Sequence, residues 1–258
     1  MNIDQDRLIS IANAEYSKWS YRKVPRRIDN RLSPTCEDYL RPYITNTMRV
    51  IDLGCGDGKA LLNLSQNYHT GLGIDIDLPS IQKAEEARRS KDIQNVEYQQ
   101  MDFPKESDRL QPESFDMVIS LRGAAPDTPR SIQASLRLLR VDGMIFCEEI
   151  GEQHNWEEDE IFDENYPFNS ALSATKKWRT VLGSYGVSIR IVADLYEKNV
   201  YPDIYAWFEY VCASCYKFNM SFPQPKDPRI ALFAERYTQA NGEVETTAHV
   251  VWVAGIKR

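Results

Sequence analysis

The residues with the clearest chemical purpose lie in VIDLGCGDGKALLNLS, residues 50–65, where Asp52 precedes three alternate glycines, Gly54, Gly56 and Gly58. A hydrophobic run ahead and a helix-like run behind make this a strand-to-helix turn. Glycines there let the chain reverse tightly and bring its backbone close to a ligand. A dinucleotide fingerprint, G-x-G-x-x-G, needs its third glycine where Lys59 stands. The phosphate loop G-x-x-x-x-G-K-[ST] fails too, because Ala60 follows Lys59 and the glycine spacing is wrong. Asp52 would repel a phosphate and welcome a cation or an ammonium.

The elements that must position this turn are legible as alternating patterns. MRVIDL (48–53), LGIDI (72–76), VEYQQ (96–100), FDMVISL (115–121) and MIFCEEI (144–150) read as strands, with ALLNLSQN, PSIQKAEEARRS and PRSIQASLRLLR between them as helices or turns. Strands alternating with helices of this length predict βαβ units and a mostly parallel sheet. VSIRIVADLYE (187–197) and the terminal TTAHVVWVAGIKR add two strands, which predicts a doubly wound α/β domain of seven strands over residues 48–258. Residues 1–47 read as a helical extension, with a helix start at Ser33-Pro34, and a further helix is expected around Ala171 to Ser184. The aromatic segment within residues 199–244 reads as a helical cap inserted before the last strand, since ligands in such sheets bind beyond the carboxyl ends of the strands.

With 258 residues, 42% hydrophobic and 27% charged, the chain can bury a full core. Its start, MNIDQDRLIS, lacks the features of a secretory signal, and no apolar run reaches the roughly 20 residues that span a bilayer. Five irregularly spaced cysteines do not describe a disulfide framework. Together these predict a cytoplasmic protein without membrane partners. A net charge of −7 argues against nucleic acid as a partner, although YRKVPRR, with its basic cluster from Arg22 to Arg27, is a local basic run. The lone Cys212-x-x-Cys215 pair has no second pair or nearby histidine, so no metal site is expected.

From Met48 to Ile150 the sequence resembles the class I S-adenosylmethionine-dependent methyltransferases, whose first motif reads acid, any, Gly, any, Gly, any, Gly. That likeness covers Asp52, Gly54, Cys55, Gly56 and Gly58, with Cys55 a small buried filler. GIDIDLPSI supplies Asp75 and Ile76 at the end of the second strand, where the resemblance implies an acid accepting hydrogen bonds from both ribose hydroxyls; Asp77 is assigned to capping the next helix. QMDF supplies Met101, Asp102 and Phe103, similar to the positions that meet the adenine amino group and ring. FDMVISLRG, with Ser120 and Leu121, resembles the fourth motif, and LRLLRVDGMIFCEE the approach to the fifth strand. The implied cofactor is S-adenosyl-L-methionine.

A hydroxyl or ammonium acceptor must lose a proton on methylation, which calls for a base within hydrogen-bond reach. Of His69, His154 and His249, His154 follows strand five in GEQHNW and is the leading base, while His249 reads as structural. Arg122, after strand four, stands where related enzymes reach toward the acceptor and can clamp a carboxylate or phosphate. Only one of Glu148 and Glu149 can face the pocket, because side chains alternate along a strand. Tyr16, Trp19 and Tyr21 can lid the site, their ring faces suiting a sulfonium. Tyr205 and Phe208, with Cys212 and Cys215, suit an amphipathic helix over an apolar acceptor pocket. The expected function is methyl transfer to an oxygen, nitrogen or carbon nucleophile of a small molecule. An RNA methyltransferase and a cofactor-binding scaffold without transfer activity are the alternatives.

Overall fold

The computed structural model of the chain describes residues 3–14, 25–29, 35–103, 105–125, 128–151, 153–162, 180–218 and 224–258. In chain order the elements are α1 (Gln5–Ala12), β1 (Arg27–Asp29), α2 (Cys36–Leu40), β2 (Arg49–Leu53), α3 (Lys59–Leu64), β3 (Thr70–Asp75), α4 (Leu78–Ser90) and β4 (Val96–Gln100). They continue with β5 (Phe115–Leu121), α5 (Pro129–Leu138), β6 (Leu139–Ile150), α6 (Trp156–Phe162), β7 (Val187–Tyr201), α7 (Ile204–Phe218), α8 (Pro228–Tyr237) and β8 (Val244–Lys257). The chain forms two compact units. One comprises Met1–Leu32, Glu152–Leu172 and Tyr196–His249, the other Ser33–Gly151, Ser173–Leu195 and Val250–Arg258, so residues 33–47 share a unit with the glycine turn.

In this second unit the strand order is β7-β8-β6-β5-β2-β3-β4, the expected seven strands. β2 pairs in parallel with β3 on one side and β5 on the other, with Asp52 opposite Gly73 and Ile119. The chain order reverses direction at β2, the place where open α/β sheets take ligands beyond their strand ends. β6 pairs in parallel with β5 and antiparallel with β8, placing Glu148 opposite both Leu121 and Trp252. Alternation along β2 sends Ile51 and Leu53 into one buried cluster and Val50 into another, which includes Leu40, Leu61 and Trp252. Asp52 has the parity of Val50.

β6 starts five residues earlier than the expected 144–150. Asp142-Gly143 looks like a turn, but Asp142 takes a left-handed φ of +63°, and a register shift between Phe115 and Met117 absorbs the irregularity within the β5–β6 ladder. The helix expected from Ser33-Pro34 begins at Cys36, because Thr35 rather than Ser33 is its cap: the Thr35 hydroxyl accepts the Asp38 N–H at 3.2 Å.

In the first unit α7 centres an aromatic core, in which Trp207 stacks on Phe233 at 4.1 Å and Phe162 lies 6.0 Å from Trp207. β7 runs to Tyr201, beyond the expected 197, and its far end pairs antiparallel with β1, Ile28 opposite Asn199. β1 was not expected; with three residues it carries no readable alternation. Most of the helix expected around residues 171–184 lies outside the described residues.

Candidate functional site

The glycine turn closes β2 against its neighbours. Both the Gly54 and Cys55 N–H groups donate to the Ile74 carbonyl, at 2.8 and 3.0 Å. Gly54, Gly56 and Gly58 all have positive φ. A side chain at Gly54 would put its Cβ 2.6 Å from the Gly123 Cα, so this glycine lets the β2 turn touch the loop after β5. Gly58 caps α3 in a left-handed conformation with the Tyr98 ring where a Cβ would go, and its carbonyl accepts the Tyr98 hydroxyl at 3.0 Å. The third glycine therefore serves helix-to-strand packing.

Four carboxylates gather around this turn. Asp52 is 2% exposed, and its Oδ1 is sealed from solvent with no hydrogen-bond partner among the described residues. Burial first, then the charges of Asp75 and Glu37, push its carboxyl up to about 7. Asp75 accepts the Gly56 N–H on one oxygen at 2.8 Å and the Asp77 N–H on the other at 2.9 Å, tying the end of β3 to the turn. Asp77 caps α4, its side chain accepting the Ser80 N–H at 2.9 Å, as assigned from the sequence. Glu37, in the first turn of α2, accepts from the Cys36 thiol at 3.1 Å and from Asn63 Nδ2 of α3 at 3.4 Å. Burial works to raise Glu37, but hydrogen bonds from Cys36, its own backbone and Asn63, with the Lys59 charge, hold it below the ordinary range. Burial, followed by the charge of Glu148, pushes the Cys36 thiol up.

Beyond the turn, Ile76 is 54% exposed at the carboxyl end of β3, an apolar surface that suits a ring. Met101 and Phe103 are buried in the sheet core, and the Met101 N–H donates to the Asp75 carbonyl at 2.9 Å. Asp102 pairs with Lys105 at 2.7 Å. Ser120 is fully buried: its hydroxyl donates to the Leu53 carbonyl at 3.0 Å and accepts the Ala125 N–H at 3.2 Å, so it staples β5 to β2. Leu121 follows it and is partly buried.

Arg122 takes φ +54°, unusual for a residue with a side chain. Its N–H donates to the Glu148 carbonyl at 2.7 Å and its Nε to Glu148 Oε1 at 2.9 Å. Trp252 Nε1 donates to Glu148 Oε2 at 2.8 Å. Of the two glutamates, Glu148 is thus the buried one, and it anchors Arg122 at the end of β5.

The remaining candidates belong to the first unit or lie outside the described residues. His154 is buried in the turn before α6 of the first unit, which does not contain the glycine turn. His249 accepts the Gln153 N–H at 3.0 Å and stacks on Tyr196 at 4.4 Å, a structural role. Phe208 is fully buried rather than lining a pocket, because it sits inside the apolar cluster of this unit with Leu8 of α1 and with Trp207, whose ring lies 6.3 Å from its own. The Tyr205 hydroxyl accepts the Asp4 N–H at 2.8 Å, and Arg7 lies over its ring at 3.9 Å, which ties α7 to α1. Tyr205 also lines a pocket with Arg7, Ile11, Pro202 and Glu209 in this unit. Tyr16, Trp19, Tyr21 and residues 22–24 lie outside the described residues; Arg26 stacks over Tyr210 at 4.8 Å. Sequence reasoning missed Glu37 as a site residue, because an acid in the first turn of a helix reads as a dipole partner.

Asp52 gives the expected cofactor a test of fit. A sealed carboxylate oxygen with no donor is costly, and a ligand ammonium is the partner it lacks. With the glycine turn beside it and the exposed Ile76 at the end of β3, the residues present suit an amino-acid-bearing nucleoside. The sequence matches the model of a family described as a methyltransferase domain over residues 44–202. No curated protein sequence matches the chain. Among solved structures, it is similar to the YcgJ protein from Bacillus subtilis, with 16% identity and a TM-score of 0.62 over 86% of this chain and 97% of that one. It is also similar to a SAM-dependent methyltransferase from Aquifex aeolicus, with 11% identity and a TM-score of 0.56 over 95% and 100% of the two chains. The [4+2]-cyclase SpnF is similar at 14% identity and a TM-score of 0.55, over 98% of this chain and 92% of that one. At such identities the likeness is one of fold.

Proposed function

The chain belongs to the methyltransferase-domain family, with S-adenosylmethionine the cofactor this implies, and from that premise we propose that it methylates a nucleophilic oxygen, nitrogen or carbon of a small molecule. The observation that carries the cofactor's place is the sealed, unpartnered Asp52 oxygen at the end of β2. When bound, the cofactor supplies an electrophilic methyl group. The chain's own residues bind and orient. Asp52 receives the ammonium, Asp75 the ribose hydroxyls through lone pairs its two backbone bonds leave, and Ile76 and Asp102 the adenine ring and amino group. Arg122, 43% exposed in its side chain and fixed by Glu148, holds an acidic group of the acceptor. Positioning of the acceptor behind the methyl carbon supplies much of the rate.

A small acceptor agrees with the acidic balance of the chain and with the carboxylates around the turn, which repel a phosphodiester backbone. Calorimetric titration with S-adenosylhomocysteine, with NAD as control, tests the cofactor. Saturable binding of the first alone is expected, and binding of NAD alone would end the proposal. Methyl incorporation from labelled cofactor into a metabolite extract then tests transfer. Binding with no incorporation from any extract would favour the scaffold without transfer activity.

A further inference from the structure

The first unit holds a cavity of about 470 Å³ walled by α1 and the start of α7, a volume within the range of small-molecule sites. Arg7, Ile11 and Ala14 face it at the spacing of one side of α1, while Leu8 is sealed in the aromatic core. Tyr205 and Glu209, one turn apart on α7, face it from across, and the small Ala206 leaves room beside them. Pro25 and Pro202 add apolar wall that carries no backbone N–H. Among the described residues three charged side chains line the cavity, and two of them match each other. The Arg7 guanidinium lies 3.9 Å over the Tyr205 ring, and its Nη2 donates to Asp203 Oδ2 at 3.4 Å. The other Asp203 oxygen accepts the Ala206 N–H at 2.7 Å. Since the Tyr205 hydroxyl accepts the Asp4 N–H at 2.8 Å, ring and guanidinium are fixed together. The third charge is Glu209, which is partly buried and has no hydrogen bond or ion pair among the described residues. The Ser10 hydroxyl, also in the lining, accepts as readily as it donates and so opposes neither sign. The lining is left with one negative charge in excess.

We propose that this cavity binds a small organic cation, an ammonium carried on an apolar stem, with the ammonium against Glu209 and the stem along Ile11, Ala14 and the two prolines. The inference goes beyond the methyl-transfer reading and does not rest on it. An ion pair beside apolar walls is screened less than one in open water, which favours the cation. An anion meets the opposite case: Arg7 is already matched by Asp203, and Glu209 repels it. A neutral apolar ligand would cover Glu209 without giving it a partner, at the cost of taking a carboxylate further from water. The cavity therefore sorts ligands of one shape by their charge.

The experiment is calorimetric titration of the full chain with hexylammonium chloride, with hexanol and hexanoate as probes of the same stem and different charge. Saturable binding of hexylammonium is expected, about tenfold tighter than that of either other probe and weakening as salt is raised. Glu209→Gln keeps the size of the side chain and removes its charge. It is expected to weaken hexylammonium by about tenfold and to leave hexanol unchanged. The variant gives up no hydrogen bond among the described residues, so the fold is expected to survive it. Ala14→Leu, at an exposed position, fills the cavity and is expected to weaken hexylammonium and hexanol alike. An ammonium held by another acid, Asp52 included, would bind both variants as tightly as the unaltered chain, and that result overturns the inference. Tighter binding of hexanoate than of hexylammonium also overturns it, because Arg7 would then be the recognising charge. So does the lack of any saturable hexylammonium binding in the millimolar range. None of these outcomes bears on the cofactor, which the titration with S-adenosylhomocysteine tests separately.

Discussion

Arg122 joins two kinds of cost at one position. Its backbone is left-handed, which costs roughly 1–2 kcal/mol for a residue with a Cβ, and its guanidinium meets a glutamate that is 8% exposed. Strain at the end of β5 is therefore held by the Glu148 pair and by the N–H bond to the Glu148 carbonyl. Arg122→Ala keeps the strain and leaves the Glu148 carboxylate with the Trp252 donor alone among the described residues, a loss of about 1–3 kcal/mol. Arg122→Gly loses the same pair but relaxes the backbone, and is expected to be more stable than the alanine variant by about 1 kcal/mol. Urea unfolding of the two variants measures the difference. Equal stabilities would mean that the left-handed turn is not strained. S-adenosylhomocysteine affinity is expected to survive both changes, since Arg122 is assigned to the acceptor. The sequence placed Arg122 after strand four but could not choose its partner, because Glu148 and Glu149 are chemically alike. Only the β6–β8 register, which sets Glu148 beside Trp252, decides it.

Elements were legible where local chemistry alone specifies them. The Asp77-Leu78-Pro79 start of α4 reads as cap and fixed first turn, and the structure has Asp77 capping and Pro79 in that turn. Asp77→Ala is accordingly expected to cost about 1 kcal/mol in urea unfolding. A change below a few tenths would show that α4 does not depend on its cap. Parallel strands β2 and β5 were readable for a similar reason: their apolar runs need no partner to be recognised, and the alternation of Val96 and Tyr98 with polar residues marks β4. What failed was whatever depends on pairing at a distance. β1 exists only because β7 offers it an edge, and the full length of β6 rests on a bulge that its Asp-Gly pair disguises as a turn. Phe208 was expected at a pocket because an amphipathic helix shows its apolar face in sequence but not what covers it; in the structure that face is closed inside an apolar cluster that also takes in Leu8 of α1 and Trp207. Glu37 was illegible on the same grounds, since its contact with Asn63 spans two helices.

At the scale of the whole molecule, each unit holds a buried acid whose carboxyl is raised well above the ordinary range. In the second unit it is Asp52, pushed up to about 7 by burial, Asp75 and Glu37. In the first it is Glu158 of α6, 1% exposed, raised to about 8 by burial above all, against the pull of the Trp207 N–H that donates to its Oε1 at 2.7 Å. Glu157 and Asp159 add to the rise, and Asp159 itself is raised to about 6. All three carboxyls hold their protons to higher pH in the folded chain than in the unfolded one, so the folded chain binds more protons in between. The stability they lend is full below about pH 4, and is lost as pH rises through 6, 7 and 8. Glu37 and Asp227 are held below the ordinary range, and their contribution is lost instead as pH falls. Stability without cofactor is therefore expected to peak in mildly acidic solution and to decline toward pH 9. Glu158→Gln keeps an oxygen for the Trp207 N–H and removes the charge. It is expected to match the unaltered chain at pH 5 and exceed it at pH 9 by a few kcal/mol, since each tenfold change in proton affinity between the folded and unfolded chain is worth about 1.4 kcal/mol. Thermal melts at pH 5, 7 and 9 give the comparison. A variant that is less stable at pH 9 would mean that Glu158 is ionised and paired in the folded chain, and that the alkaline decline has another source.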